Sequence, residues 1–385
     1  MRDRRVIVGA VFGCLCMAGL VAYHVFHGPA GPAGHGSYHV LHGLAGPAGH
    51  AYHVQPRAVM GTQCALTAVV GRSRAEQRRA EKALRQAEAA LRAVEARMST
   101  YLDLSELSRF NAAPAGEVVK LSPDTLAVLH LAKELHGQSH GAFDVTCLGL
   151  FNLWARAGRA QRVPADAEVA TARAAGGWDK IELLDGGARK SVAAAGLGLG
   201  GIAKGFAIDR ALGAIWSARC AGGLVDVGGD IRCFGVSPRG DRWRVAVRNP
   251  FDTRGTAFFG TLALTDAAVC TSGNYERYTE IDGKRYSHIV DPRTGRPVDS
   301  APSVTVVAPT AAVADGWATA LSVLGPKGLE LLPSDGGLEA MIVVGGPADY
   351  TIHQTPGFAK LLVSPIPPPP GRPGGASGPS SAPGE

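Results

Sequence analysis

The chain has 385 residues, of which 51 are glycine and 25 are proline, and 46% of its residues are hydrophobic. This composition can bury a sizeable core, and it excludes both a collagen-like fibre and a wholly disordered chain. The formal net charge of +6 comes mainly from the first few residues and from a basic helix predicted over 72–97. Because no basic stripe is interleaved with aromatic residues, the charge does not indicate nucleic-acid binding.

The N-terminus consists of a basic segment followed by an uncharged run over residues 6–22. This pattern is typical of an export signal or of a membrane anchor, and a buried core helix is the alternative. Cys14 follows a weak lipoprotein-like box, so a cleaved signal, an uncleaved anchor and a lipoprotein all stay open. Residues 1–22 therefore predict a cell-envelope protein, anchored to the cytoplasmic membrane with its folded body on the extracytoplasmic, periplasmic side.

Two further segments have the composition of linkers. Residues 23–57 contain repeated YHV units and seven of the twelve histidines. Such tracts can bind transition metals, but their Gly, Pro and Ala spacing gives no fixed geometry, so we interpret 23–57 as a linker with incidental metal affinity. Residues 364–385 are rich in Pro, Gly and Ser and predict a disordered tail. The folded domain is therefore predicted over 58–363.

Hydrophobic periodicity predicts the elements of this domain. The helix over 72–97 has an apolar stripe that includes Leu84 and Leu91, and it is followed by helices over 122–137, 202–218 and 312–324. Strands are predicted over 62–70, 223–235, 242–248, 257–264, 284–290, 303–308 and 339–344. Helices and strands mix without regular βαβ alternation, and hairpin spacing dominates after residue 223. The sequence thus predicts an α+β fold with a largely antiparallel sheet and packed helices.

Two glycine-rich segments can carry chemistry. In LGLGGIAKGFAID, Gly200 and Gly201 precede a helix that contains Lys204, so main-chain amides and a cation converge as an anionic phosphate requires. The segment has neither the GxGxxG fingerprint nor a P-loop, and a plain glycine-rich turn is the alternative. In DVGGD, Asp226 and Asp230 enclose two glycines, which indicate a bulge or a close neighbour inside the predicted strand.

Two polar positions stand out further along the chain. Asp315 and Thr319 lie four residues apart in a predicted helix, so a carboxylate and a hydroxyl share the face needed to reach a hard cation. Asp315 can instead be an ordinary helix cap. His288 ends a predicted strand between Ser287 and Asp291, and it is either a structural histidine or a candidate base.

Taken in chain order, these segments resemble the motifs of the ApbE family of FAD:protein FMN transferases. The resemblance covers roughly 58–345. It is carried by MGT at Met60, MSTYLDLSELSRFN from Met98, GAFDVTCLGLFNLW from Gly141, LGGIAKGFAID from Leu199, DVGGDI from Asp226, TSGNYERYTEIDGKRYSHIVDPRTGRPV from Thr271 and ADGWATALSVLGPKGLELL from Ala314.

The resemblance implies a single ApbE-like catalytic domain and a Mg²⁺-dependent enzyme of the cell envelope. Such an enzyme cleaves FAD, transfers FMN as a phosphoester to a Thr or Ser hydroxyl of an acceptor protein, and releases AMP. The implied partners are FAD, acceptor proteins of extracytoplasmic redox complexes, and the membrane through the N-terminus. Expected FAD contacts are Met60, Tyr101, Ala142, Phe143, Asp144, Lys204 and Ile289. Expected magnesium ligands are the Gly201 carbonyl, the Asp315 carboxylate and the Thr319 hydroxyl.

We further expect His288 to take the proton from the acceptor hydroxyl, oriented by Asp291 or Ser287. One position departs from the family pattern, because Gly198 stands where members usually have Asp. The contact that this Asp makes with the flavin or the metal is then either missing or supplied by Asp226 or Asp230. Two other functions stay open, namely a Mg²⁺-dependent FAD pyrophosphatase that frees FMN and AMP, and a membrane-tethered flavin-binding protein without turnover.

Overall fold

The computed structural model describes residues 41–46, 49–57, 59–252, 257–273, 278–298, 301–364 and 366. The predicted signal or anchor over 1–22, the first part of the predicted linker and nearly all of the predicted tail lie outside the described residues. Within the described part of the chain, no helix combines the length and the apolar character needed to cross a membrane.

The helices of the described residues begin with a long amphipathic one. They are α1 (Arg74–Met98), α2 (Glu106–Ala112), α3 (Pro123–Gln138), α4 (Leu148–Ala160), α5 (Asp166–Ala175), α6 (Ala203–Ser217), α7 (Ala311–Leu324) and α8 (Pro356–Leu361), with short 3₁₀ helices at Trp178–Lys180 and Pro326–Leu331. A capping box starts α1, because the Ser73 and Glu76 side chains each accept a hydrogen bond from the other residue's main-chain amide. The predicted helix over 72–97 is confirmed.

The strands, in chain order, are β1 (Leu41–Gly46), β2 (Gly49–Val54), β3 (Cys64–Val70), β4 (Val119–Lys120), β5 (Ile181–Leu184), β6 (Gly187–Lys190), β7 (Gly222–Val227), β8 (Asp230–Gly235), β9 (Trp243–Arg248), β10 (Phe258–Leu264), β11 (Ala267–Gly273), β12 (Tyr278–Ile281), β13 (Lys284–Ser287), β14 (Val290–Asp291), β15 (Arg296–Pro297), β16 (Ser303–Ala308), β17 (Glu339–Val344) and β18 (Thr351–Gln354).

Among the described residues, nine strands form one sheet in the order β1-β2-β3-β7-β8-β11-β16-β17-β18, and every neighbouring pair is antiparallel. Alternate residues of β3 point to opposite faces. Leu66 joins a core shared with α1, α3, α6 and α7, whereas Val69 joins a second core with β9, β10 and α8. The predicted α+β fold with a largely antiparallel sheet is confirmed.

The start of the domain differs from the prediction. Residues assigned to the linker form β1 and β2 at the edge of the sheet, and β2 pairs with β3 from His50 opposite Val70 to Val54 opposite Leu66. Tyr52 and Val54 are buried there. The Gly, Pro and His content of this repeat predicts a linker. These residues form strands instead because β3 supplies hydrogen bonds and the core beneath supplies contacts.

The segment DVGGD also differs from the prediction, because the single strand predicted over 223–235 is a hairpin. Val227 pairs with Asp230, and the two glycines between them form the turn. Gly228 and Gly229 have φ values of +66° and +92°, in the left-handed region that glycine adopts without strain. A Cβ atom at Gly228 would also lie 2.8 Å from Thr62 Oγ1. The glycines therefore serve a tight turn and a close neighbour, not a bulge.

Candidate active site

The glycine-rich segment leads directly into the start of α6. The amides of Ile202 and Ala203 donate to the Leu199 carbonyl at 3.1 and 2.8 Å, which closes the turn before the helix. Ile202 holds the cap position and makes no side-chain hydrogen bond to this helix start, where the Gly205 amide donates instead to the Asp315 carboxylate. The positive end of the helix dipole therefore faces the turn and favours a negatively charged group there.

Helix α6 contacts the start of α7 at a glycine. A Cβ atom at Gly205 would lie 2.2 Å from the Ala311 carbonyl oxygen, so any larger residue would push the helices apart. One turn later, the Asp209 carboxylate accepts hydrogen bonds from the amides of Ala311 and Ala312 at 2.8 and 3.0 Å. Arg232 donates to the same carboxylate at 2.7 Å. These contacts fix the relative position of the two helices that carry the predicted site.

Lys204 lies at this helix contact and forms an ion pair with Asp230. Asp230 is 1% exposed, and its carboxylate also accepts a hydrogen bond from the Thr271 amide at 2.9 Å. Burial opposes the charge on Lys204, but the carboxylates of Asp230 and Asp315 outweigh it and raise the pKa of the Lys204 ammonium above its usual value. The cation predicted to meet a phosphate is therefore permanently charged.

Asp315 lies inside α7 rather than at its start. The cap of α7 is Thr310, whose hydroxyl accepts from the Val313 amide at 3.4 Å, so the structure excludes a capping role for Asp315. The Asp315 carboxylate accepts a hydrogen bond from the Gly205 amide at 3.0 Å. Burial raises the pKa of Asp315 to about 7, although Lys204 opposes that change. A buried carboxylate of this kind gains stability from a further positive charge.

The three predicted magnesium ligands offer only oxygen atoms. A Cβ atom at Gly201 would lie 2.9 Å from Thr319 Oγ1, so the turn and α7 meet here, and Asp315 is one helical turn before Thr319. Across the described residues, no group of three or more His, Cys, Asp or Glu side chains could hold a metal ion. A carboxylate, a hydroxyl and a carbonyl nevertheless fit Mg²⁺, which uses few protein ligands and keeps water and phosphate oxygens.

The segment GAFD packs against the same turn. The Cβ position of Gly201 is 3.3 Å from Phe143 Cε2, and Ala142 is buried with Ile289. The Asp144 carboxylate accepts hydrogen bonds from the amide and the hydroxyl of Thr146, both at 2.7 Å. Its other oxygen lies 3.6 Å from His136 Nδ1. Phe143 thus lies against the glycine-rich turn, with Ala142 and Asp144 next to it in the chain and Ile289 packed on Ala142.

Met60 and Tyr101 lie at the C-terminal end of α1. Met60 has a φ of +53°, which is uncommon for a residue with a side chain, and its amide donates to Glu95 Oε1 at 2.9 Å. Tyr101 follows α1 and is 94% exposed. The Tyr101 amide donates to Ser99 Oγ at 3.1 Å, so the main chain of this loop is held while the ring faces outward.

His288 is exposed between β13 and β14, next to Ile289, which is buried against Ala142. Ser287 Oγ accepts a hydrogen bond from the Ile289 amide at 3.0 Å. The Asp291 carboxylate accepts hydrogen bonds from the main-chain amide and from the guanidinium of Arg293, each at 2.9 Å. Of the two residues expected to orient His288, Asp291 is thus already engaged by an arginine.

Gly198 donates its amide to the Val145 carbonyl at 2.8 Å. A Cβ atom here would lie 3.3 Å from Leu148 Cδ1 and 4.0 Å from Phe151 Cδ2. Of the carboxylates expected to replace the usual Asp, Asp230 faces Lys204, whereas Asp226 accepts from the Gly229 amide at 2.9 Å. Desolvation raises the pKa of Asp226 to about 6. Asp230 is therefore the one in contact with the predicted site.

The structure thus brings Phe143, Gly201, Lys204, Asp315 and Thr319 together, with Ala142 and Ile289 beside them. Sequence reasoning missed residues that hold these groups in place. They are Glu95, Asn111, His136, Thr146, Lys190 and Asp209. Asn111, Thr146 and Asp209 occur within the motifs that carry the family resemblance, which is the one signal that could have drawn attention to them.

Comparisons with known proteins identify the family of this chain. The sequence profile of the ApbE family matches residues 60–342. A FAD:protein FMN transferase of Vibrio cholerae is 38% identical over 235 residues, covering 60% of this chain and 70% of that protein. Its counterpart of the same name from Haemophilus influenzae is 34% identical over 276 residues, covering 69% and 79%.

Two solved structures share the fold. The ApbE protein of Thermotoga maritima has a TM-score of 0.71 at 30% identity, covering 81% of this chain and 99% of that chain. The apo form of the flavinyl transferase ApbE of Pseudomonas stutzeri has a TM-score of 0.70 at 32% identity, covering 82% and 97%. These matches confirm the resemblance seen in the motifs. The chain therefore belongs to the ApbE family and is a transferase.

Proposed function

We propose that the chain is a Mg²⁺-dependent FAD:protein FMN transferase that modifies a Thr or Ser of an acceptor protein and releases AMP. The observation that carries this proposal is the meeting of α6 and α7. There the N-terminal end of α6, the Lys204 ammonium and the buried Asp315 carboxylate lie beside one glycine-rich turn. A diphosphate with a bound cation is the ligand that this combination of charges favours.

In the proposed reaction, the acceptor hydroxyl oxygen forms a bond to the FMN phosphorus while the bond from that phosphorus to the AMP oxygen breaks. AMP leaves with the electron pair of that bond, and His288 takes the hydroxyl proton. Positioning and charge stabilisation supply most of the catalysis in such phosphoryl transfers. Lys204 would stabilise the negative charge that develops on the diphosphate oxygens.

The Gly201 carbonyl, the Asp315 carboxylate and the Thr319 hydroxyl would hold Mg²⁺, which when bound supplies positive charge to the diphosphate. Phe143 Cε2 lies 3.3 Å from the position that a Cβ atom at Gly201 would take, and the ring would exclude water from the turn. The FAD contacts implied by the family are Met60, Tyr101, Ala142, Asp144 and Ile289 in addition to Phe143 and Lys204.

We also propose that the chain acts in the cell envelope, held at the cytoplasmic membrane through residues 1–22, with its body on the extracytoplasmic side. The basic and apolar pattern of that segment supports this location. The acceptors would then be subunits of extracytoplasmic redox complexes. Fractionation of cells that express the full chain tests the location. Recovery in the soluble cytoplasmic fraction would contradict it.

The function is tested by incubating the full chain with FAD, Mg²⁺ and a candidate acceptor subunit. We expect FMN mass on a Thr or Ser of the acceptor and one AMP for each FMN transferred, and chelation of Mg²⁺ should stop both. Free FMN and AMP with an unmodified acceptor would instead identify a FAD pyrophosphatase. Bound FAD without AMP release would identify a flavin-binding protein.

Gly198→Asp is expected to strengthen FAD binding and to lower stability. The family resemblance places a carboxylate at this position, whereas Leu148 and Phe151 face it here, so a charged side chain would destabilise the fold by about 1–3 kcal/mol. FAD titration and thermal unfolding measure the two effects. Gly198→Ala is the matched control, because it introduces the same Cβ contact without the carboxylate. Equal FAD affinity in the two variants would contradict the prediction.

A further inference from the structure

Lys190, at the end of β6, is a lysine enclosed by main-chain carbonyl groups. It is 1% exposed, and its Nζ donates to the carbonyl oxygens of Asn111, Ala193 and Ala195 at 2.7, 2.9 and 3.0 Å. An ammonium group has three N–H donors, so these contacts use all of them. A buried lysine is rare unless it is paired, and here it joins α2 to the segment that follows β6.

Asn111, near the end of α2, holds the same segment at a second point. Its Nδ2 donates to the Leu197 carbonyl at 2.9 Å, and its Oδ1 accepts from the Leu197 amide at 2.7 Å. Both main-chain polar groups of one residue are therefore bound by one side chain. Together, Lys190 and Asn111 fix residues 193–197 through three carbonyls and one amide.

This fixed segment leads directly into the glycine-rich turn 198–201. Glycines have no side chain to pack and have wide main-chain freedom, so the position of such a turn depends on what holds its ends. On the far side α6 holds it. On the near side, the Gly198 amide donates to the carbonyl of Val145, the residue after the GAFD segment, and Lys190 and Asn111 attach the residues that precede Gly198.

We propose that Lys190 and Asn111 are positioning residues that hold the main chain of 193–197, so that the turn 198–201 is fixed in advance for the FAD diphosphate. The ligand part of this proposal rests on the proposed function. Fixing a binding loop before the ligand arrives increases affinity, because less conformational entropy is lost on binding. Neither residue needs to touch FAD for this effect.

The test uses the full chain with Lys190→Met and Asn111→Asp. The first variant keeps the length of the side chain and removes the ammonium. The second keeps the acceptor for the Leu197 amide and removes the donor to its carbonyl. Lys120→Met is the matched control, because Lys120 is an exposed lysine of β4, the strand that pairs with β6. Two variants at separate positions keep the test informative if one of them folds poorly.

Hydrogen exchange without FAD is the first measurement. We expect the amides of 193–201 to exchange faster in both variants than in wild type and in Lys120→Met, and unchanged exchange would overturn the proposal. FAD titration and transfer kinetics follow. We expect Kd and KM for FAD to rise about tenfold, with KM for the acceptor unchanged.

A role confined to stability would lower the folded fraction and the apparent kcat while KM for FAD stays at the wild-type value, and that result would also overturn the proposal. Failure of the proposed function is a separate outcome. It would show as a wild-type chain that does not bind FAD, and it would remove the ligand part of the inference. The exchange measurement would still decide whether Lys190 and Asn111 hold the turn.

Discussion

Replacing His288 with asparagine is expected to lower the rate of FMN transfer by about 100-fold or more while FAD binding stays close to wild type. Asparagine preserves a polar side chain but cannot take the proton from the acceptor hydroxyl. His288 is exposed beside the buried contact between Ile289 and Ala142, so its loss removes little packing. Single-turnover transfer to the acceptor and FAD titration measure the two quantities.

His353→Asn is the control for this variant, because His353 is an exposed histidine on the edge strand β18. It should transfer FMN at the wild-type rate. Unchanged transfer by His288→Asn would refute the assignment of the base. Loss of FAD binding in that variant would show instead that His288 contributes to the ligand site. Ser287→Ala then tests the orienting residue, because the Asp291 carboxylate is directed to Arg293.

Replacing Asp315 with asparagine is expected to abolish Mg²⁺-dependent transfer without destabilising the metal-free protein at pH 8. Burial raises the pKa of this carboxyl to about 7 from its ordinary 3.8. Between these two values the folded state holds a proton that the unfolded state has lost, so this group makes the wild type less stable as the pH rises. Through this group, the free energy of unfolding of the wild type falls by roughly 1.4 kcal/mol per pH unit until pH 7 is reached.

Thermal unfolding with chelator at pH 5 and pH 8 checks this sign. The unfolding temperature of Asp315→Asn minus that of wild type should be larger at pH 8 than at pH 5. Calorimetry should show that the variant binds Mg²⁺ more weakly. Asp335→Asn, a change at an exposed aspartate, should alter neither. A variant that is less stable than wild type at pH 8, or that retains full Mg²⁺-dependent transfer, would contradict the prediction.

Local sequence patterns predicted the helices and strands but not which of them pair or pack together. The apolar stripe of α1 is strictly periodic, and it was predicted within two residues at each end. By contrast, β2 has a sequence whose Gly and His residues indicate a linker, and it becomes a strand because β3 lies beside it. The two glycines of DVGGD were recognised as unusual, but alternation alone could not distinguish a turn from a bulge.

The candidate site shows the same limit. Gly201 and Lys204 lie in one motif, and Asp315 and Thr319 in another, so each pair could be identified from spacing. Their meeting depends on how α6 crosses α7, which only the family resemblance implied. Lys190 carried no signal at all, because the three carbonyls around it come from residues 111, 193 and 195, which no local pattern relates to one another.

The contact between α6 and α7 at Gly205 has an evolutionary consequence. The same residue limits how closely the two helices can approach and donates its amide to Asp315, so this main-chain contact, together with the Asp209 side chain, sets the spacing between Lys204 and the proposed metal ligand. Side chains farther out can then change without altering that spacing. Because a side chain at Gly205 would collide with the Ala311 carbonyl, we expect Gly205 to be invariant among related sequences. Residues farther from this helix contact should vary more.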